Sequence, residues 1–135
     1  MPDPAEVAKL LLARCAILSV GSPVLPVAMP DVPFPPPSDG KYLRVSLFNN
    51  APAWEGMNSG RMDQGLLQVT VVWPKGKGVI KAREVAADVM AHFPKGLKLV
   101  NAGAKVRINR EPWAGSPILD DNASLVAITI PWVAV

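Results

Sequence analysis

Residues 65–93, GLLQVTVVWPKGKGVIKAREVAADVMAHF, change from a period of two to a helical period, and this change constrains the fold more than any other stretch. Apolar and polar residues alternate up to Trp73, which predicts a strand with one buried face. Residues 74–78, PKGKG, interrupt that strand. Apolar residues then recur at helical spacing until Phe93, and Pro94 and Gly96 end the helix. We therefore predict a strand, a tight basic turn and an amphipathic helix.

Two interpretations compete for the turn, which either holds a phosphate or only changes the chain direction. A phosphate loop needs the spacing G-x-x-x-x-G-K-[ST], whereas Gly76 and Gly78 stand too close together and no Ser or Thr follows. Helix N-termini nevertheless attract anions, so a DNA backbone or an acidic partner could dock weakly there. Four basic residues would support such docking: Lys75, Lys77, Lys81 and Arg83. The alternative is a solvated basic turn that only changes the chain direction. Weak docking of an anion and a solvated turn both stay open as interpretations.

The rest of the chain adds a second helix and several strands. Asp3 is a suitable N-cap and Pro4 a suitable first residue for a helix that runs to about Ser19. Strands are predicted at 41–49, 105–110 and 125–133, with a possible short one at 97–100 and loops at 50–64 and 111–123. We expect the last two long strands to form a hairpin, and Pro131 suggests a sheet edge or a strand end there.

These elements predict one α+β domain over residues 1–135, in the order α-β-β-α-β-β. Two helices would pack on a mostly antiparallel sheet of four to five strands. Residues 22–38 hold seven of the prolines and should form an extended, stiff strap across the domain or against a neighbouring subunit. The PxxP spacing in this strap also fits an SH3-type ligand, as it would in any proline-rich run.

The loop predicted at 50–64 is long, polar and rich in Gly, Asn and Ser, which is typical of functional or disordered loops. It contains large side chains that either anchor an interface or fold back onto the sheet. These are Trp54, Met57, Arg61 and Met62.

The usual catalytic and metal-binding patterns are missing. His92 is the single histidine, and no Cys or His stands at ligand spacing from it. The adjacent Asp120 and Asp121 would diverge in an extended segment, so a catalytic dyad is not indicated. Cys15 lies on the apolar side of its predicted helix, where a buried thiol is inert. We therefore expect no enzyme, no metal and no cofactor, and an interaction or structural protein becomes the leading class.

Charge and hydropathy set further limits. The 14 basic and 11 acidic residues give a net charge of +3, which supports only a weak preference for DNA or acidic surfaces. No apolar run reaches the about 20 residues that a membrane-spanning helix needs, and the acidic N-terminus does not resemble a secretory signal. We expect a soluble, intracellular protein with no membrane partner.

The order of motifs along nearly the whole chain resembles that of tail terminator-like proteins of tailed bacteriophages and prophages. Residues 26–37, PVAMPDVPFPPP, followed by YLRV at 42–45, are similar to the family run PVA…NVPFxPP…YLRV. Residues 65–71 and 74–78 resemble its GxLQVxV…PxGxG strand and turn, and ITIPW at 128–132 resembles its closing strand.

This resemblance implies a function in virion assembly. Members of the family are small α+β subunits that form a ring, commonly a hexamer, at the head-proximal end of the tail tube, where the ring ends tube polymerisation and joins tail to head. The implied partners are the chain itself, the major tail tube protein and a head-completion or connector protein, and DNA passes through without specific binding. The implied location is the virion tail, after assembly in the host bacterial cytoplasm. The free protein could be a monomer.

No short motif fixes the contacts of the family, so the candidate interface residues come from the chain itself. They are Phe34, Trp54, Met57, Arg61, Met62, Lys75, Lys77, Lys81 and Arg83. We expect Lys75 and Lys77 to face a partner or the ring lumen. The alternatives are another neck or tail-completion protein and a small basic nucleic-acid-binding module.

Overall fold

A computed structural model of the chain describes residues 3–20, 24–54, 61–76, 80–119 and 123–134. Helix α1 spans Pro4–Ala16, and the Asp3 carboxylate caps it by accepting a hydrogen bond of 2.9 Å from the backbone N–H of Ala5. Helix α2 spans Ile80–His92. Both helices are close to where the sequence predicts them, although α1 ends three residues earlier than expected.

The strands form one mixed sheet, larger than the predicted four to five antiparallel strands. Their bounds are β1 Val27–Ala28, β2 Tyr42–Trp54, β3 Arg61–Pro74, β4 Lys98–Val100, β5 Lys105–Arg107, β6 Trp113–Ala114, β7 Ile118–Leu119 and β8 Ala123–Ala134. The order across the sheet is β1-β2-β3-β8-β5-β4, with β6 and β7 also paired to β8. The sheet is mixed because β1 runs parallel to β2, whereas the other pairs are antiparallel. The α+β class is confirmed.

The core lies between one face of the sheet and the two helices. The alternating residues predicted to face inward are buried, including Leu67 and Val69 of β3 and Ile128 and Ile130 of β8, all at 0% exposure. Helix α2 packs on β3 and β8, and α1 packs near β4 and β5. The opposite face, called the outer face below, carries the other side chains of each strand.

The predicted loop at 50–64 is wrong over most of its length, because β2 continues to Trp54 and β3 begins at Arg61. Only residues 55–60 of that range lie outside the described residues. The pairing register slips between Asn50 and Ala53, where β2 has one residue more than β3. Pro52 stands in this β-bulge, which is one of the few positions where a strand accepts proline. The prolines, glycines and asparagines in this range are typical of loops, and for this reason the strand ends were not predicted from the sequence.

The predicted loop at 111–123 is also wrong, because β6 and β7 pair with β8 inside it. Together β5, β6 and β7 form one interrupted strand alongside β8. The register slips by two residues between β5 and β6, and by one more between β6 and β7. The expected hairpin between the last two strands is therefore present, with bulges. Pro131 lies on β8, which is a central strand and not a sheet edge. It stands between the residues of β8 that pair with β6 and those that pair with β5. At this position no described strand pairs with β8 on the side away from β3.

The proline-rich strap lies partly on its own domain. Its strand β1 pairs with β2, and the Leu43 N–H donates to the Pro26 carbonyl at 2.9 Å. The strap then reverses in a turn that ends at Gly40, whose φ of 71° favours glycine. A short strand inside this segment was not predicted, because seven prolines suggest an extended chain without ladder bonds.

Two polar contacts fix the helices to each other and to the β4–β5 turn. Arg14 donates from Nη2 to the His92 carbonyl at 2.8 Å, and His92 Nε2 lies 2.8 Å from the Arg14 carbonyl, so each helix end caps the other. At the opposite end of α1, Asn101 Nδ2 donates to Glu6 at 2.9 Å, while its Oδ1 accepts from two backbone N–H groups of the turn. The β4–β5 hairpin is thus held against the first turn of α1.

Candidate assembly interface

The candidate interface residues do not form one patch. Met62 lies near the start of β3, whereas Lys75 follows its end. Twelve residues of extended strand lie between these two positions, which is roughly 40 Å at the usual rise per residue. The hairpin end and the basic turn therefore lie at opposite ends of the sheet and cannot contact a small partner together.

At the hairpin end, Trp54 and Arg61 are register partners and form the last pair of the β2–β3 ladder in the described residues. Met62 is half-buried on β3. Met57 lies outside the described residues, as does Lys77 of the basic turn. The prediction that the hairpin residues anchor an interface stays a prediction.

The basic turn and α2 expose their charges separately. Lys75, Lys81 and Arg83 are all exposed, and Lys81 Nζ lies 3.8 Å from the Glu84 carboxylate. This exposed pair contributes little to stability. Asp88 is also exposed on α2, so the helix presents both signs of charge. This mixture does not favour the basic nucleic-acid surface that one alternative requires.

Phe34 contacts its own domain. Its ring lies 5.1 Å from the ring of Tyr42, with the two planes tilted by 42°. Nearby, Lys41 Nζ lies 4.8 Å above the ring of Trp73, a cation–π contact. Phe34 is half-buried, so this stacking fixes the strap to the outer face of β2 and leaves part of the ring accessible.

Strand β2 has a free edge along most of its length. The Leu43 N–H points toward the strap, because it bonds to Pro26, and the register to β3 is regular from Tyr42 to Asn50. Backbone groups alternate in direction along a strand, so the N–H and C=O groups of Leu47 and Asn49, beyond the part of β2 that pairs with β1, also point away from β3. No described residue pairs with them.

The other end of the sheet has a second free edge, on β4. The Asn101 N–H bonds to the Ala104 carbonyl and the Ile108 N–H to the Leu97 carbonyl, so the residues at 97, 99 and 101 face β5. The intervening backbone groups, those of Lys98 and Val100, point outward. Among the described strands, none lies beyond β4.

A groove of about 610 Å³ lies on the outer face next to this second edge. Its described lining residues combine three cationic side chains with apolar ones and include no acidic residue. The lining residues are Met62, Lys98, Val100, Lys105, Val106, Arg107 and Val133. This groove was not predicted from the sequence, although the Asn-Ala-Gly turn between the two short strands was a signal for the pairing that creates it.

Two titratable groups in the described part of the chain have clearly shifted pKa values. Burial raises the pKa of the Cys15 thiol to about 12, which keeps it protonated and unreactive, as the sequence predicts. Burial also lowers the pKa of His92, while the hydrogen bond to the Arg14 carbonyl opposes this shift. Within residues 3–20, 24–54, 61–76, 80–119 and 123–134, no three His, Cys, Asp or Glu side chains gather as metal ligands. Neither described helix has the length and hydropathy of a membrane span.

Comparison with known families decides the class. The family profile described as "Phage tail terminator protein" matches residues 6–132, nearly the whole chain. The chain belongs to the phage tail terminator family. The resemblance seen in the strap, the central strand and the closing strand is thereby confirmed, and the chain is assigned to the structural proteins of phage tails.

One solved structure is similar over almost its entire length. It shares 30% sequence identity with this chain and superposes with a TM-score of 0.80. The match covers 98% of this chain and 96% of the similar chain. That protein bears no functional name, so it supports the fold and not a particular function. No functionally curated protein matches the chain significantly.

Proposed function

We propose that this tail terminator subunit forms a ring, with six subunits as the expected number, at the head-proximal end of the tail tube. The ring ends polymerisation of the major tail tube protein and presents a surface to a head-completion or connector protein. The observation that carries this proposal is the family match over residues 6–132. DNA passes through the ring without specific binding, and assembly takes place in the host cytoplasm.

The two free edges of the sheet support a ring. A closed ring needs heterologous contacts, in which two different surfaces of the same subunit meet between neighbours. The edge of β2 and the edge of β4 are two such surfaces, on opposite sides of one sheet. Both offer unpaired backbone groups, which commonly pair with another chain. The β2 edge is the longer and carries fewer charges near its exposed backbone groups.

The face that meets the tube is best sought at the ends of the sheet. The hairpin end (Trp54, Arg61, Met62) and the basic turn at Lys75 lie at opposite ends of β3, as a two-faced ring requires. One end would contact the tube and the other the head connector. Lys77 and Met57 belong to the same two regions by sequence.

Deletion of the gene from a tail-producing phage or prophage tests the proposal. We expect tail tubes without this protein to exceed the normal length and to lack heads, and a plasmid copy to restore both. Tubes of normal length in the deletion strain would contradict tube termination. Normal-length tubes without heads would instead assign the protein to another neck or tail-completion function.

A further inference from the structure

The outer face of the β4–β5 hairpin carries a cluster of like charges. Lys98 and Arg107 are register partners, and Lys105 lies two residues from Arg107 on the same face. All three side chains are exposed. In the part of the chain that the structure describes, none of them forms an ion pair.

The ladder geometry brings two of these charges as close as a sheet allows. Residues 99 and 106 form a hydrogen-bonded pair, because the two flanking pairs, 97 with 108 and 101 with 104, are linked by backbone hydrogen bonds. Lys98 and Arg107 therefore form a non-hydrogen-bonded pair, in which side chains stand closest. Like charges directly opposite each other destabilise a sheet. Local conflicts of this kind are expected at functional or strained sites.

Apolar side chains complete the groove. Val133 of β8 lies next to Arg107 in register, and Val100 of β4 is 60% exposed. Met62 of β3 also lines the groove. A ligand that fills the volume of about 610 Å³ must therefore carry both negative charge and apolar surface.

The free edge of β4 adds a third requirement. The outward N–H and C=O groups of Lys98 and Val100 are a short template for strand addition, in which an incoming extended segment forms main-chain hydrogen bonds. Along such a segment, every second side chain lies on the outer face. Carboxylates at those positions would lie beside the cationic cluster.

We propose that this site, the β4–β5 groove, binds an extended acidic peptide segment of a partner protein, which adds to β4 as a further strand. The proposal is made for the free monomer, since a ring contact through the β4 edge would occupy the strand position that the peptide takes. A polynucleotide would satisfy the charges, yet its sugar-phosphate backbone cannot reproduce the strand ladder at β4. The combination of cationic side chains and free strand edge therefore favours a peptide.

A labelled peptide of alternating Glu and Val, about ten residues long, is a suitable probe. We expect saturable binding by fluorescence anisotropy, with amide chemical shifts of the full chain changing at Lys98, Val100 and Lys105. Replacement of the two opposed charges, Lys98→Gln with Arg107→Gln, should weaken binding by about tenfold or more. The matched variant Lys81→Gln with Arg83→Gln removes the same charge from α2 and should change the affinity by less than about twofold.

Four outcomes would overturn the proposal. The first is equal weakening by the two double variants, and the second is equal binding of a peptide that alternates Lys and Val. The third is undiminished binding when the peptide backbone is N-methylated on one edge. The fourth is tighter binding of a single-stranded oligodeoxynucleotide to the same amides. Self-association of the chain through β4, detected by sedimentation without peptide, would assign the groove to a second copy instead. Circular dichroism of each variant establishes that the fold is intact.

Discussion

Trp132 covers the backbone of Gly65, its register partner on the neighbouring strand. A Cβ atom on Gly65 would stand 2.6 Å from Cζ2 of the indole, and it would also collide with the Phe48 carbonyl oxygen. The indole is only 2% exposed and closes the core at the hairpin end of the sheet. The absence of a side chain at 65 is therefore what allows the closing strand to pack there.

Substitution of Gly65 by Ala should destabilise the fold. Because one obstacle is backbone and the other a large buried ring, neither can move freely, and we expect a loss of about 1–3 kcal/mol in the free energy of unfolding. Urea denaturation measures this loss. Gly115→Ala is the control, since its nearest neighbour would be 3.7 Å away, and an equal loss in both variants would contradict the account.

Stability should fall as the pH drops below the ordinary pKa of His92. Burial lowers the pKa of His92 from 6.5, so the unfolded chain binds a proton more readily than the folded one. The free energy of unfolding is then unaffected by this group above about pH 6.5, and it decreases with falling pH until the folded-state pKa is reached. Denaturation at several pH values measures the slope. His92→Gln should reduce the slope between pH 7 and 5, and an unchanged slope would show that His92 does not contribute.

Removal of one of the opposed charges on β4 and β5 should stabilise the protein. Lys98→Gln relieves the repulsion from Arg107 without removing an ion pair among the described residues. We expect the free energy of unfolding to rise by about 0.2–1 kcal/mol at low salt. The gain should shrink as salt screens the charges. Lys95→Gln, at an exposed position outside the strands, should show no comparable gain.

The free edge of β2 can be blocked at a single backbone group. Asn49 is exposed, and its N–H points away from β3, so Asn49→Pro removes that donor without breaking the β2–β3 ladder. We expect the variant to remain folded but to fail to form rings on tails. Asn49→Ala keeps the N–H and should assemble normally. Rings formed equally well by both variants, as seen by electron microscopy, would exclude this edge from the subunit contact.

The strong periodic patterns predicted the framework well. The alternation in β3 and the helical spacing of α2 predicted both elements, because each buries one face and leaves the other in water. Asp3 and Pro4 predicted the start of α1 because capping is local chemistry. Gly96, with a φ of 91°, ends the segment after α2 as expected.

The prediction was wrong where tertiary pairing overrides local signals. Pro52 is a strand breaker in isolation, but it is accepted here because it stands in a bulge at a free edge. Residues 113–114 and 118–119 form strands only because β8 lies beside them. The β4–β5 groove depends on the pairing of Lys98 with Arg107. This pairing can be recognised only once the turn between the two strands is known to bring them side by side. Sequence distance alone likewise does not show that the two candidate contact surfaces lie at opposite ends of β3.

The most direct test of the central claim is the length of tail tubes assembled from purified major tail tube protein with and without the purified chain. The account predicts that added chain stops elongation, with tubes shorter at higher ratios of chain to tube protein and with labelled chain located at one tube end. Tubes of unchanged length, or label distributed along their sides, would contradict it.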